Sequence, residues 1–253
     1  MSRVYITGDT HSRVERFNTK HFPEQKEMTR DDYVIVCGDF GLVWAEDGEN
    51  SEEKYWLDWL EEKNFTLLFI DGNHDNFDRL YQYPVKEWHG GLVHEIRPHV
   101  LHLMRGEIYE IGGKTFFAFG GAHSHDIDGG ILDIEDFEYR MKKRQLDNLC
   151  IPYRINHISW WAEELSSDEE RQHARDNLAK HNNEVDIILT HCCSSSTQAL
   201  LNDDDYKPDV HTDFLDEIKQ SVKYDHWYFG HYHAERSMSD KETLLYHKII
   251  RII

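Results

Sequence analysis

An α/β fold is what this sequence predicts, and three observations carry it. Short β-prone runs recur and run into polar turns, several with glycine. Stretches with helical spacing of apolar residues separate those runs, the alternation expected of α/β architectures. The chain is 253 residues long, enough to bury a large core within one domain.

The predicted strands are residues 4–7, 33–37, 66–70, 185–190 and 227–229. Between the second and third, SEEKYWLDWLEEKN reads as a helix, with Ser51 placed to cap it and Trp56, Trp59, Leu60 and Lys63 on one face. A second helix is expected from Asp168, because Ser167 and Glu170 have capping-box spacing. A third is expected from Thr212, with Phe214, Leu215, Ile218 and Val222 on one side. Residues 100–122 read as an antiparallel element in which Gly112 and Gly113 separate two strand-like runs, and Phe116, Phe117 and Phe119 are core by pattern. The polar segment 124–184, with Trp160 and Trp161, reads as helices and loops inserted before the next core strand. No Pro- or Ser-rich linker and no repeat divides the chain, so residues 1–253 are expected to form one domain.

Composition narrows the function. Hydrophobic residues make up 39% and charged residues 30% of the chain, with a mean hydropathy of -0.72, as in a water-soluble globular protein. Against 48 acidic residues stand 28 Lys and Arg, a formal charge of -20, the wrong sign for coating nucleic acid. Four cysteines, two adjacent at Cys192 and Cys193, have neither the density of a disulfide framework nor CxxC spacing. The first apolar stretch stops at Gly8 and Asp9, too soon for a signal-peptide core, and no later run approaches membrane-spanning length. A cytoplasmic protein without membrane partners is the expectation. Histidine is abundant, with 18 residues, which raises a metal hypothesis because neutral imidazole is a common ligand.

Five motifs stand at predicted strand ends: Gly8-Asp9-Thr10-His11, Gly38-Asp39-Phe40-Gly41, Gly72-Asn73-His74-Asp75, Thr190-His191 and Gly230-His231-Tyr232-His233. Side chains spaced by one residue in a tight turn, such as Asp9 with His11 or His231 with His233, can aim at one point. Mixed carboxylate, amide and imidazole donors suit Mn, Zn or Fe rather than Ca, which prefers oxygen shells. Asp9, His11, Asp39, Asn73, His191, His231 and His233 would suffice for two ions sharing one carboxylate.

Other motifs fail on their own chemistry. The stretch 123–128 is similar to the HxHxDH of metallo-β-lactamase folds, but Ile127 and Asp128 stand where Asp and His are required. Cys192-Cys193-Ser194-Ser195-Ser196 lacks a nucleophile elbow beside His191. Asp203-Asp204-Asp205 lacks the spacing of a calcium loop and reads as a solvated face.

In order and spacing the five motifs resemble the D-x-H, G-D, G-N-H-D/E, lone His and G-H-x-H pattern of the calcineurin-like metallophosphoesterases, over residues 8–233. The resemblance is to small bacterial or phage-type members. It implies a four-layer αββα sandwich of two mixed β-sheets flanked by helices. It also implies that Asp9, His11 and His233 hold one metal, that Asn73, His191 and His231 hold the other, and that Asp39 bridges both. His74 would face the substrate, protonating the leaving oxygen or stabilising transition-state charge while a hydroxide shared by the ions attacks phosphorus. Two divalent ions are implied, Mn first, with Zn, Fe or Ni as alternatives.

Two departures shape the substrate expectation. Phe40-Gly41-Leu42-Val43-Trp44 follows Asp39 where phosphoprotein phosphatases carry D-R-G, and Asp75 ends the third motif where they have Glu. A small or nucleotide-like phosphodiester is therefore the expected partner, without bulk nucleic-acid binding. The alternatives are a phosphomonoesterase, a Ser/Thr protein phosphatase, or a non-catalytic metal-binding scaffold. Arg79, His123, His125, Trp160 and Trp161 are candidates for reading the substrate by position only. The default for His123 and His125 is structural, and for Trp160 and Trp161 it is packing.

Overall fold

The computed structural model describes residues 2–201 and 206–253; the Asp203–Asp205 run lies outside them. In chain order the strands are β1 (Val4–Thr7), β2 (Tyr33–Val36), β3 (Thr66–Phe69), β4 (Val85–Trp88), β5 (Gly91–Arg97), β6 (Val100–Leu103), β7 (Glu107–Ile111) and β8 (Lys114–Phe119). There follow β9 (Ile131–Leu132), β10 (Arg154–Ile155), β11 (Ile187–Thr190), β12 (His226–Phe229), β13 (Arg236–Ser239), β14 (Glu242–Leu244) and β15 (Ile250–Arg251). The helices are α1 (Ser51–Glu61), α2 (Phe77–Leu80), α3 (Tyr139–Leu149), α4 (Asp168–Lys180), α5 (Ser195–Gln198) and α6 (Val210–Ser221).

Two mixed sheets result: a seven-stranded one in the order β15-β1-β2-β3-β6-β5-β4, and a six-stranded one in the order β13-β14-β12-β11-β8-β7. β1, β2, β3 and β6 run parallel at the centre of the first sheet, and β8, β11, β12 and β14 at the centre of the second. Strand periodicity assigns the faces. Ile6, Ile35 and Leu68 turn inward to meet Phe116, Ala118, Ile187 and Leu189 of the second sheet. Tyr5, Val34, Leu67 and Phe69 turn outward onto Phe17, Phe22, Leu57 and Leu60. On the other side Phe117, Phe119, Ile188, Trp227 and Phe229 pack on Ala174 and Leu178 of α4 and on Phe214, Leu215 and Ile218 of α6. Central strands buried on both faces are why the sequence shows continuous apolar runs there instead of alternation. The chain is thus the expected αββα sandwich.

Local differences have local causes. Asn50, not Ser51, caps α1: its side chain accepts from the Glu52 and Glu53 N–H groups while Glu53 returns a bond to the Asn50 N–H. The buried face of α1 is Glu53, Leu57 and Leu60; Trp56 and Trp59 are only partly covered, and Lys63 lies over the Trp59 ring with Nζ 3.1 Å from its centroid. Asp209 caps α6, so that helix begins at Val210 and the Thr212 hydroxyl closes its capping box. α4 starts at Asp168 behind the Ser167–Glu170 box, as the spacing predicts. Gly112 and Gly113, at φ 61° and 82°, form the two-residue turn joining β7 to β8. The first part of the 100–122 stretch does not join that hairpin, because β6 pairs with β3 in the other sheet.

The 124–184 segment divides. Its first part carries the small β9–β10 ladder and α3, none of whose residues is buried, whereas α4 joins the outer layer of the second sheet. Among the described residues, no helix is long and apolar enough to cross a membrane.

Candidate metal centre

The five motifs fall at the carboxyl ends of β1, β2, β3, β11 and β12, where parallel strands of both sheets stop along one edge. Open α/β sheets bind ligands outside such strand ends, because the loops there converge. Backbone hydrogen bonds tie the loops together: the His11 N–H donates to the Asp39 carbonyl (2.8 Å), the Ser12 N–H to that of Phe40 (3.0 Å) and the Gly230 N–H to that of His191 (2.8 Å). Asp75, fully buried, braces two loops by accepting from the Gly72 N–H at 2.9 Å and the Gly41 N–H at 3.2 Å. Burial and the nearby Asp39 carboxylate push the Asp75 carboxyl well up. Close approach requires glycine at two points: a Cβ on Gly72 would lie 2.1 Å from Asp39 Oδ1, and one on Gly230 2.1 Å from Asp9 Oδ1.

Backbone strain gathers at the same place. His11, Asp39, His231 and His233 all have φ between 44° and 70°, a region that costs a residue with a side chain about 1–3 kcal/mol and persists where the surroundings enforce it. The strained turns aim these side chains inward.

Asp9, His11, Asp39 and His233 each bring one donor atom to a point, all within 4.8 Å of one another. His11 Nε2 and His233 Nε2 are 2.9 Å apart, and His233 Nε2 is 3.2 Å from Asp9 Oδ2. Asp39 reaches this group through Oδ2, 3.6 Å from His11 Nε2, while its Oδ1 lies 3.2 Å from His191 Nε2. One carboxylate therefore faces two sets of nitrogen ligands.

Asn73, His191 and His231 are the remaining candidate ligands from the sequence, and His231 lies with its ring 5.0 Å from that of His191. His191 Nδ1 donates to the Cys37 carbonyl (2.8 Å), which turns Nε2 toward Asp39. The Asn73 amide Nδ2 donates to Ser124 Oγ at 3.2 Å, and that hydroxyl donates to Glu164 Oε2 at 2.5 Å. Asn73 Oδ1 is left buried without a hydrogen-bond partner among the described residues, while His191 Nε2 faces the Asp39 carboxylate at 3.2 Å. A buried oxygen left unsatisfied in this way is costly, and an amide oxygen, an imidazole nitrogen and a carboxylate together fit a divalent transition metal. The backbone carbonyl behind His191 is the outer support such ligands use.

Electrostatics follow from burial and the two carboxylates. Burial opposes charge on His191, but Asp39, Asp9 and the Cys37 carbonyl together push it up to about 10. Asp39 is held well below the usual carboxylate range: burial alone would raise it, and the facing histidines, His191 foremost, more than offset that. The Asp9 bond raises His233, whereas burial lowers His11 and takes His231 far down.

A cavity of about 280 Å³ opens over the site, lined by Asp39, Asn73, His74, Arg154, His231 and His233 among others. The His74 N–H donates to Asp39 Oδ1 at 2.8 Å, and its Nε2 accepts from Arg154 Nη2 at 2.7 Å. Burial brings His74 down to about 4, with Asp39 opposing and Arg154 reinforcing the shift. His125 also lines the cavity, with Nε2 2.8 Å from His231 Nε2. A larger cavity of about 840 Å³ lies behind β3, over Asp71, His94, His102 and Arg105; it holds none of the seven candidate ligands.

The remaining sequence candidates lie elsewhere. Arg79 is buried in a bond to Glu53 (2.8 Å) that ties α2 to α1. Trp161 is a core residue whose Nε1 donates to Asp78 Oδ2 at 2.7 Å; it packs edge-on against Trp44, the ring beside His74. Trp160 does not line the cavity, and His123 faces Glu164 at 3.4 Å. Cys192 and Cys193 are buried, with their thiols pushed up by burial, the opposite of a nucleophile's environment. Arg154, Ser124, Glu164 and the bracing role of Asp75 escape sequence reasoning. The first three sit in the polar segment, Ser124 within the rejected 123–128 stretch and Arg154 and Glu164 with no motif around them.

The sequence pattern defining the calcineurin-like phosphoesterases matches residues 2–235. No curated protein matches the chain as a relative.

Proposed function

The chain belongs to the calcineurin-like phosphoesterase family, and from its site we propose that it hydrolyses a small, nucleotide-like phosphodiester using two divalent ions. The family itself is one of metal-dependent hydrolases of phosphate esters, and the Asp9, His11, Asp39 and His233 cluster is a metal-binding arrangement. The observation that carries the two-ion reading is the orphaned Asn73 Oδ1 together with His191 Nε2, which faces Asp39 through Oδ1 while the cluster faces it through Oδ2. In this reading Asp9, His11 and His233 hold one ion, Asn73, His191 and His231 the other, and Asp39 contributes to both. Manganese suits the mixed oxygen and nitrogen donors. When bound, such ions polarise phosphoryl oxygens and offset the charge that grows during in-line displacement.

The protein's own groups do the rest. Because His74 Nε2 accepts from Arg154, its proton resides on Nδ1, and burial keeps the ring neutral. A neutral donor of this kind serves by hydrogen-bonding a phosphoryl or leaving oxygen rather than by arriving protonated. The Asp39 contact to the His74 N–H fixes that residue relative to the ligands. A cavity of about 280 Å³ favours a compact ester, and a net charge of -20 offers no general grip on a long polyanion.

His74→Ala tests the assignment. It should retain both ions by elemental analysis and lose hydrolysis of bis-p-nitrophenyl phosphate. Loss of the ions, or unchanged turnover, would overturn the role given to His74.

A further inference from the structure

Resting on the phosphoesterase reading, we propose that Arg154 binds a phosphoryl oxygen of the substrate, so that the 124–184 segment supplies the site's anion grip. Arg154 is delivered by β10, which pairs with β9 outside both large sheets.

The donor count is specific. A guanidinium has five N–H donors in a fixed planar fork. On Arg154, Nε donates to Asp126 Oδ1 (2.6 Å), Nη1 to the carbonyls of Asn73 (3.3 Å) and Ser159 (3.1 Å), and Nη2 to His74 Nε2 (2.7 Å). One Nη2 hydrogen remains without an acceptor among the described residues. The side chain is only 5% exposed, and Arg154 lines the cavity it shares with Asp39, Asn73 and His74.

Charge points the same way. Among the described residues lining that cavity, Arg154 is the one Lys or Arg, facing the carboxylates of Asp39 and of its ion-pair partner Asp126, in a protein of net charge -20. Burying a guanidinium is costly unless its surroundings hold it. Four bonds hold this one in a single orientation beside His74 and the carbonyl of Asn73. A phosphate oxygen accepting the fifth N–H would meet a preorganised, charge-assisted donor. A lysine could keep the charge but not the fork.

The test uses the full-length protein loaded with Mn, with inorganic phosphate titrated calorimetrically and bis-p-nitrophenyl phosphate turnover measured in parallel. Arg154→Ala and Arg154→Lys should keep the metal content of the wild type. The alanine variant should weaken phosphate binding ~10–100-fold, the range for a hydrogen bond to a charged group, and raise KM; the lysine variant should fall between it and the wild type. Should the alanine variant not fold, the lysine variant carries the comparison. If both variants bind phosphate as tightly as the wild type and only kcat falls, Arg154 merely positions His74 and the proposal is overturned. If the metal-loaded wild type itself neither binds phosphate nor hydrolyses any ester, the phosphoesterase reading fails first, and this inference with it.

Discussion

Asp39→Asn keeps the volume of the side chain and removes its charge and one of its two ligand oxygens. In the native site Oδ1 lies 3.2 Å from His191 Nε2 and Oδ2 lies 3.6 Å from His11 Nε2, so under the bridging assignment each half of the site would use a different oxygen. An amide nitrogen has no lone pair for a metal, and one half must lose its shared ligand. Loss of groups that merely support metal ligands weakens binding about 10–100-fold, so a shared ligand should cost about 100-fold or more, near 2.7 kcal/mol. The same number appears as heat stability: metal at 100 times its Kd stabilises the wild type by about 2.7 kcal/mol, a Tm rise of roughly 5–11 °C for a chain of this size. Titration calorimetry with Mn, and melting with and without the ion, read both quantities. The variant should bind one ion weakly or not at all, show little of that rise, and lose more activity than His11→Ala, which touches one half only. Two ions bound with wild-type affinity and a full Tm rise would refute the bridging assignment.

Arg105→Ala should destabilise the fold by about 3–5 kcal/mol, because it strands the buried Asp71 carboxylate, which now accepts from Arg105 Nε at 2.9 Å and from His102 Nε2 at 3.0 Å. Burial would raise Asp71, but Arg105 and His102 hold it well below its ordinary value. Its contribution is therefore complete above about pH 4 and disappears as pH falls through the lower folded value. Denaturant melts across that range should show this acid loss in the wild type and not in the variant, and equal curves would contradict it. His191, raised to about 10 in the metal-free protein, adds stability that is complete below its ordinary value near 6.5 and is lost as pH rises through the folded value. A metal must displace that proton, so Mn binding at pH 8 should release about one proton. Calorimetry in two buffers of different ionisation heat measures this, and identical heats would count against it.

Much of the architecture was legible because the central strands are buried on both faces, which leaves runs such as 33–37 and 66–70 nearly all apolar and abruptly ended by Gly-Asp or Gly-Asn. Those ends are where the ligand-bearing turns stand, so motif order and strand order carried the same information. Helix ends were less legible: Asn50 and Ser51 are both good caps, and only the return bond from Glu53 distinguishes them. The tryptophans of α1 are intermediate, packed in part against the core while Lys63 covers the Trp59 ring from outside. Arg154 and Ser124 could not be found from sequence. They lie 80 and 51 residues from their site partners His74 and Asn73, where no motif pointed to them, and only the folded chain brings them together. His125 differs from His123 in nothing that local sequence expresses; the direction of its ring toward His231 separates them.

The most direct test compares kcat/KM of the Mn-loaded protein on bis-p-nitrophenyl phosphate, p-nitrophenyl phosphate, a cyclic nucleotide and a phosphopeptide, each with and without a strong chelator. The account predicts chelator-sensitive hydrolysis with the diesters ahead of the phosphopeptide. A clear preference for the phosphopeptide, or no hydrolysis of any ester by protein holding two ions, would contradict it.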